Sequence, residues 1–225
     1  MDFKALKMKN LLFLLFFLSY GAKAQYEILP FGDVIRTPIK EKKYTDVEGS
    51  PYLIDKWSKG KVTLKNGKRY QYDSLRYDLM EDKLVFVDAG KMMHFAEPVA
   101  EFEINNGKTG NTLIYKNGLP AVDALSTSSF FQIINRDKVG LYKKVNKYIT
   151  ESKQYGSAVV NKTFNTTYSY YSLKNGIFSK IVPNKKSILA LFEDKENQLN
   201  EYLKNQKVDF KSDADLEKIF TYLNK

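Results

Sequence analysis

The sequence predicts an α+β protein: an antiparallel β-meander body over residues 49–182, closed by short C-terminal helices over 183–225. Two observations carry this prediction. From Gly49 onward the chain runs in short stretches of alternating apolar and polar residues, each bounded by turn-forming residues. After Pro183 the apolar period changes from two to about 3.6. Strands first and helices last is the order of an α+β chain, not of alternating βα units.

The N-terminus has a separate logic. Lys4, Lys7 and Lys9 form a positive region, Leu11 to Leu18 is an uncharged run of Leu and Phe, and Ala22-Lys23-Ala24 offers small residues at a cleavage site. That order is a secretory signal, with cleavage between Ala24 and Gln25. The rival interpretation, a membrane anchor, needs roughly 20 apolar residues, which this run does not reach. Residues 1–24 are therefore expected to be a signal peptide, and the protein to be periplasmic or secreted. Residues 25–48, with Pro30, Pro38 and the charged 40–43 segment, are expected to form an extended arm.

Within the body, Lys61–Leu64 and Lys68–Tyr72 flank Asn66-Gly67, a pair suited to the positive φ of a hairpin turn. Leu75–Leu79 and Lys83–Val87 follow, joined by Met80-Glu81-Asp82, and then Lys91–Phe95 and Val99–Ile104, separated at Pro98. Further strands are predicted at Thr112–Tyr115, Phe130–Ile134, Val139–Lys143, Phe164–Leu173 and Ile177–Val182. The phrase Lys-Asn-Gly recurs at 65–67, 116–118 and 174–176. Unequal spacing and unlike flanks favour independent hairpin turns over an ancient repeat. In the tail, Ile188, Leu189, Leu191 and Phe192 share a helical face, Asp194 is a candidate cap for a second helix ending near Asn205, and Ser212 with Asp215 approximates a capping box before Leu216, Ile219, Phe220 and Leu223.

Composition bounds the function. Hydrophobic residues at 43% suffice for a core, which excludes global disorder. The net charge of +10 includes +3 from the signal and is otherwise spread in short pairs such as Lys143-Lys144. Such a surface is expected to be merely solvated, with anionic lipid or polysaccharide as the more specific alternative; nucleic acid is not an expected partner of an exported chain. The absence of cysteine excludes disulfides, thiolate metal sites and a lipid-modified cysteine. No later segment is apolar and long enough to span a bilayer, so no integral membrane protein is expected.

Gly49-Ser50-Pro51-Tyr52-Leu53, Gly60 and Leu75-Arg76-Tyr77-Asp78 form one set of motifs; Phe130-Phe131 through Leu141-Tyr142-Lys143-Lys144 and the tail Leu191–Lys195, Tyr202-Leu203, Asp215-Leu216 and Tyr222-Leu223-Asn224 form two more. Together they resemble a group of secreted or periplasmic proteins of Bacteroidota without an assigned function. The resemblance covers most of the mature chain and implies no catalytic or binding residue.

Chemistry is sparse. His94 is the only histidine, so any histidine-based relay would have to use it. Carboxylates available to a hydrolase are many, among them Glu81, Asp82, Glu97, Glu101 and Glu103, but no pair stands out. Neither a Gly-x-Gly-x-x-Gly motif nor a P-loop is present, so no cofactor is expected, and no metal site. Phe164, Tyr168, Tyr170 and Tyr171 are candidate ligand-binding aromatics; on a strand, Phe164, Tyr168 and Tyr170 share one face, which serves equally as a core face. Trp57 is expected to anchor the first hairpin. Asp73-Ser74-Leu75 fits an O-glycosylation signal of exported proteins, with Ser74 as acceptor, and also fits a turn. The expected function is an exported, non-catalytic envelope protein that binds another envelope component, whether protein, lipid or glycan, or acts as a structural accessory. The alternatives are a carrier or receptor for an apolar or sugar ligand in a sheet-lined pocket, and a carboxylate-dependent hydrolase.

Overall fold

A computed structural model of the chain describes residues 36–39, 44–153, 155–156 and 159–225. The signal segment with its Ala24–Gln25 junction, and most of the arm, lie outside the described residues. The described residues are α+β, with twelve strands followed by helices near the C-terminus.

The first unit is a hairpin series: β3 (Ser58–Leu64), β4 (Arg69–Asp78), β5 (Lys83–Asp88) and β6 (Lys91–Phe95), each antiparallel to the next. The two strands expected at 68–72 and 75–79 are one strand, β4. Ser58 pairs with Leu75 and Gly60 with Tyr72, so two steps on β3 face three on β4. The extra residue is a β-bulge at Asp73-Ser74, which shifts the alternation by one. Tyr70 and Tyr72 before it, and Leu75 and Tyr77 after it, are all buried. Gly60 sits at this crowded place: a Cβ there would lie 2.4 Å from the Glu103 carbonyl oxygen and 2.7 Å from Leu75 Cδ2.

The strand order departs from a simple meander. β7 (Val99–Asn105) pairs with β3, and β1 (Arg36–Pro38) pairs with β6 on the opposite side. Four strand spacings separate β6 from β7, about 19 Å on a flat sheet. The link from Phe95 to Val99 spans at most about 14 Å, so the sheet must curl. Inside the curl lies an aromatic-rich core in which Tyr77 packs against Phe102, Tyr115 and Phe130, and Tyr72 against Phe86 and Phe95.

From β7 the chain is a second antiparallel series: β8 (Thr112–Lys116), β9 (Phe131–Asn135), β10 (Val139–Lys153), β11 (Val160–Lys174) and β12 (Ile177–Ile181). β10 and β11 pair over fifteen residues each, far beyond the expected 139–143 and 164–173. Their outer halves carry no core-facing alternation and are largely exposed, Tyr148 and Val160 included. The Asn175-Gly176 turn joining β11 to β12 has φ of 51° and 80°, the two positive angles of a type I′ hairpin. In the β3–β4 turn Gly67 alone carries the positive φ, 87°. The third Asn-Gly is no hairpin: Asn117 ends β8 by donating its side-chain amide to the Val99 carbonyl at 2.7 Å.

The helices are α1 (Lys185–Leu191), a 3-10 turn at Glu193–Lys195, α2 (Glu196–Asn205) and α3 (Asp213–Leu223). Asn184 caps α1 by accepting from the Ser187 N–H. Asp194 does not cap α2; it sits inside the 3-10 turn, and α2 starts after Lys195 without a side-chain cap. Ser212 does cap α3, accepting from Asp215 N–H at 3.3 Å. Its partner carboxylate accepts from Asp209 N–H instead of closing the box. Leu216, Ile219, Phe220 and Leu223 form the buried stripe of α3 and meet Ile134, Val139, Leu141 and Tyr170 on β9, β10 and β11. Among the described residues no helix is long and apolar enough to cross a membrane.

Candidate functional site

The arm binds the sheet twice. β1 pairs with β6, and β2 (Val47–Glu48) pairs in parallel with Lys162 and Thr163 on β11. The next residues lie along the end of β4: Leu53 N–H donates to the Tyr77 carbonyl at 2.9 Å, and Leu79 N–H to the Pro51 carbonyl at 3.0 Å. Lys147 on β10 fastens the same stretch by donating to the carbonyls of Ser50 and Tyr52. Burial lowers the Lys147 pKa. The Arg76 guanidinium of β4 lies over the Trp57 ring at 4.2 Å and the Tyr52 ring at 4.9 Å.

Between the arm and the β5–β6 sheet lies a cleft of about 420 Å³. Ile39, Tyr44 and Thr45 line it from the arm, and Pro51 and Tyr52 from the stretch that follows. Val85 and Met92 supply apolar floor from β5 and β6. Its polar groups are Asp78, Glu81 and His94. This is the size and mixture of a small-molecule site: mostly apolar surface with a few convergent polar groups.

The polar groups are held by defined contacts. His94 pairs with Val85 across β5–β6, and its Nδ1 lies 3.0 Å from the Leu84 carbonyl oxygen. A carbonyl only accepts, so Nδ1 carries the proton and Nε2 is turned to Glu81, 3.8 Å away. Glu81 is also 3.9 Å from Lys83 Nζ. Asp78 ends β4 and organises the turn: its Oδ1 accepts from Met80 N–H at 2.8 Å and Glu81 N–H at 3.1 Å. Asp78 is only 6% exposed, and burial raises its pKa above the ordinary carboxylate value. On the far side of the Glu81–His94 pair a second depression of about 320 Å³ shares both residues with the cleft.

The same turn sends its next residue inward. Asp82, at φ 55°, accepts from Lys144 Nζ at 2.7 Å and from the Tyr77 hydroxyl. Lys144 also donates to the Phe130 carbonyl at 3.1 Å. Burial, reinforced by Asp82, pushes the Tyr77 pKa well up, so this hydroxyl stays protonated as a donor. The backbone that aims Glu81 at the cleft is thus nailed to β10 by an ion pair.

The residues singled out from sequence are placed apart. Tyr170 is buried under α3, its hydroxyl donating to Asp213 at 2.7 Å. Tyr171 faces the opposite side and packs with Phe131 and Phe178. Tyr168 is 59% exposed, with Lys143 Nζ 4.5 Å from its ring centroid. Phe164 is half-buried and meets Tyr44, a residue of the cleft wall, edge-on at 5.4 Å. Ser74 is half-buried in the β4 bulge, beside an exposed Asp73 paired with Lys59 at 3.3 Å. Several of the carboxylates considered for hydrolysis are engaged elsewhere: Glu101 with Arg136, Glu103 with Lys61, Glu97 with Asn66 and Asp82 with Lys144. Sequence pointed to His94 by its uniqueness and to Glu81 among many; Asp78 and Tyr44 carried no signal.

Comparison with protein-family models, with curated proteins and with solved structures finds no match.

Proposed function

We propose that this chain is an exported, non-catalytic binding protein whose ligand is a small, largely apolar molecule held in the cleft under the arm. The observation that carries this is the cleft itself: apolar walls from three separate segments converge on three polar side chains of one turn and one strand. Binding is favoured over catalysis because, among the described residues, no hydroxyl or water-activating pair addresses His94 Nε2 beyond the 3.8 Å contact with Glu81. The signal-like N-terminus and the likeness to Bacteroidota secreted proteins belong to this proposal and set its compartment as the envelope or exterior. The ligand is then an envelope component or a molecule passing through it.

The test is a thermal-shift screen of neutral apolar fragments and short glycans. A ligand that binds the native state raises Tm in proportion to its occupancy. Apolar fragments are expected to raise Tm in the native protein and not in Met92→Trp, which fills the cleft from a half-exposed position on β6. A shift that survives Met92→Trp, or no shift from any fragment, overturns the proposal.

A further inference from the structure

A pocket of about 440 Å³ lies between the bend 53–57 that leads into β3 and the turn from β7 to β8, and it shares no described lining residue with the cleft. Its volume falls within the roughly 300–1,000 Å³ of small-molecule sites. Leu53, Ile54 and Leu113 supply its apolar wall; each packs against the aromatic core and still remains partly exposed. Trp57 completes that wall, with the Arg76 guanidinium 4.2 Å from its ring centroid. The charged side chains reverse the sign of the cleft: Lys56 and Lys108 stand against Asp55 alone. Both lysines are exposed, and neither enters an ion pair among the described residues. Arg76, packed on Trp57, is a third cation. Its Nε is buried without a hydrogen-bond partner, and among the described residues no carboxylate pairs with its guanidinium.

Two exposed lysines carry no site by themselves, because water satisfies them at little cost. Here they flank an apolar wall that the fold leaves open, and a cation without a counter-ion is packed on the indole of that wall. Desolvating part of a guanidinium without an acceptor costs free energy that nothing within the described residues returns. Open apolar surface and uncompensated positive charge are relieved together by one kind of molecule. We infer that this pocket binds a carboxylate on a small aliphatic body. The body lies against Leu53, Ile54, Leu113 and Trp57, and the carboxylate is turned toward Lys56 and Lys108. The lysines act as point charges on the anion. Arg76 acts through its field across the indole, without touching the ligand. This site is separate from the cleft, so it adds a second ligand class to the binding reading above and does not depend on it.

Trp57 is the sole tryptophan, so its fluorescence reports on this pocket without labelling. The probes are octanoate and the neutral octanamide, titrated into the native protein at low and at moderate salt. Octanoate should change the Trp57 emission saturably and bind about fivefold more tightly than octanamide at low salt. Added salt should shrink that preference by weakening octanoate alone. The double variant Lys56→Gln with Lys108→Gln should lose most of the preference and keep the affinity for octanamide. Both lysines are exposed, so this variant is expected to fold as the native protein does. Equal affinity for the two probes, a preference that survives the double variant, or no saturable change at Trp57 with octanoate overturns the inference. The cleft proposal is read at a different place, by the loss of fragment binding in Met92→Trp, and any of these results leaves it standing.

Discussion

Lys144 Nζ lies 2.7 Å from Asp82 Oδ2, joining two residues 62 positions apart in the chain. Lys144 is 3% exposed and sits on β10, while Asp82 occupies the β4–β5 turn whose neighbouring residues, Asp78 and Glu81, line the cleft. One ion pair therefore fixes both the curl of the sheet and the wall of the candidate site. A buried pair of this kind adds little over a well-packed apolar alternative, but losing one partner exposes the full desolvation cost of the other.

Lys144→Met is accordingly expected to destabilise the protein by about 3 kcal/mol, measured by urea denaturation. Adding Asp82→Asn should recover part of that loss, because it removes the stranded charge. Additive losses in the double variant would contradict the pairing.

Gly60→Ala should cost about 1–3 kcal/mol. The added methyl meets backbone, the Glu103 carbonyl at 2.4 Å, so no side-chain rotation relieves it. The change also loads the β3–β7 pairing. Hydrogen exchange should therefore report faster opening at Val62 and Phe102, which pair across these strands. Unaltered stability would mean that β3 and β7 are further apart than described.

Asn224 latches α3 to the start of β10. Its Oδ1 accepts from Val139 N–H at 2.8 Å, and its Nδ2 donates to the Val139 carbonyl at 3.1 Å and the Phe220 carbonyl at 2.8 Å. Asn224→Ala strands the polar groups of a buried valine and should cost about 2 kcal/mol. Asn224→Asp should cost at least as much, because its second carboxylate oxygen replaces the donor facing the Val139 and Phe220 carbonyls and puts a negative charge at the helix C-terminus.

Asp78 predicts a pH dependence of defined sign. Its native pKa is raised from 3.8, so between 3.8 and the raised value the folded state holds a proton that the unfolded state has lost. Stability from this group is present at low pH and falls as pH rises through that window. Asp78→Asn should flatten the fall and leave the protein at least as stable at pH 7. A variant less stable than the native protein at pH 7 would show that the carboxylate has a partner of its own.

How much of this the sequence disclosed depends on how local the cause was. The hairpin at Asn175-Gly176 and the α3 stripe from Leu216 to Leu223 rest on neighbouring residues, and both are where the pattern puts them. The Asp73-Ser74 bulge broke the alternation of β4 and looked like a turn, although Tyr70, Tyr72, Leu75 and Tyr77 are buried along a single strand. The outer β10–β11 ribbon lacked the alternation of a core-facing strand because much of it faces solvent. The cleft was the least legible. It depends on Tyr44 and Tyr52 being laid over β5 and β6 by pairings at Lys162 and Tyr77, and no periodicity within either segment encodes that.

The sole histidine of the chain lies in the cleft and the sole tryptophan does not line it, which gives the account its most direct measurement. A proton NMR titration of the native protein with a neutral aromatic fragment, 2-phenylethanol, should move the single His94 imidazole resonance saturably while the Trp57 indole resonance stays in place. Saturation of the Trp57 resonance with His94 unmoved, or no saturable shift of His94, would contradict a ligand site under the arm.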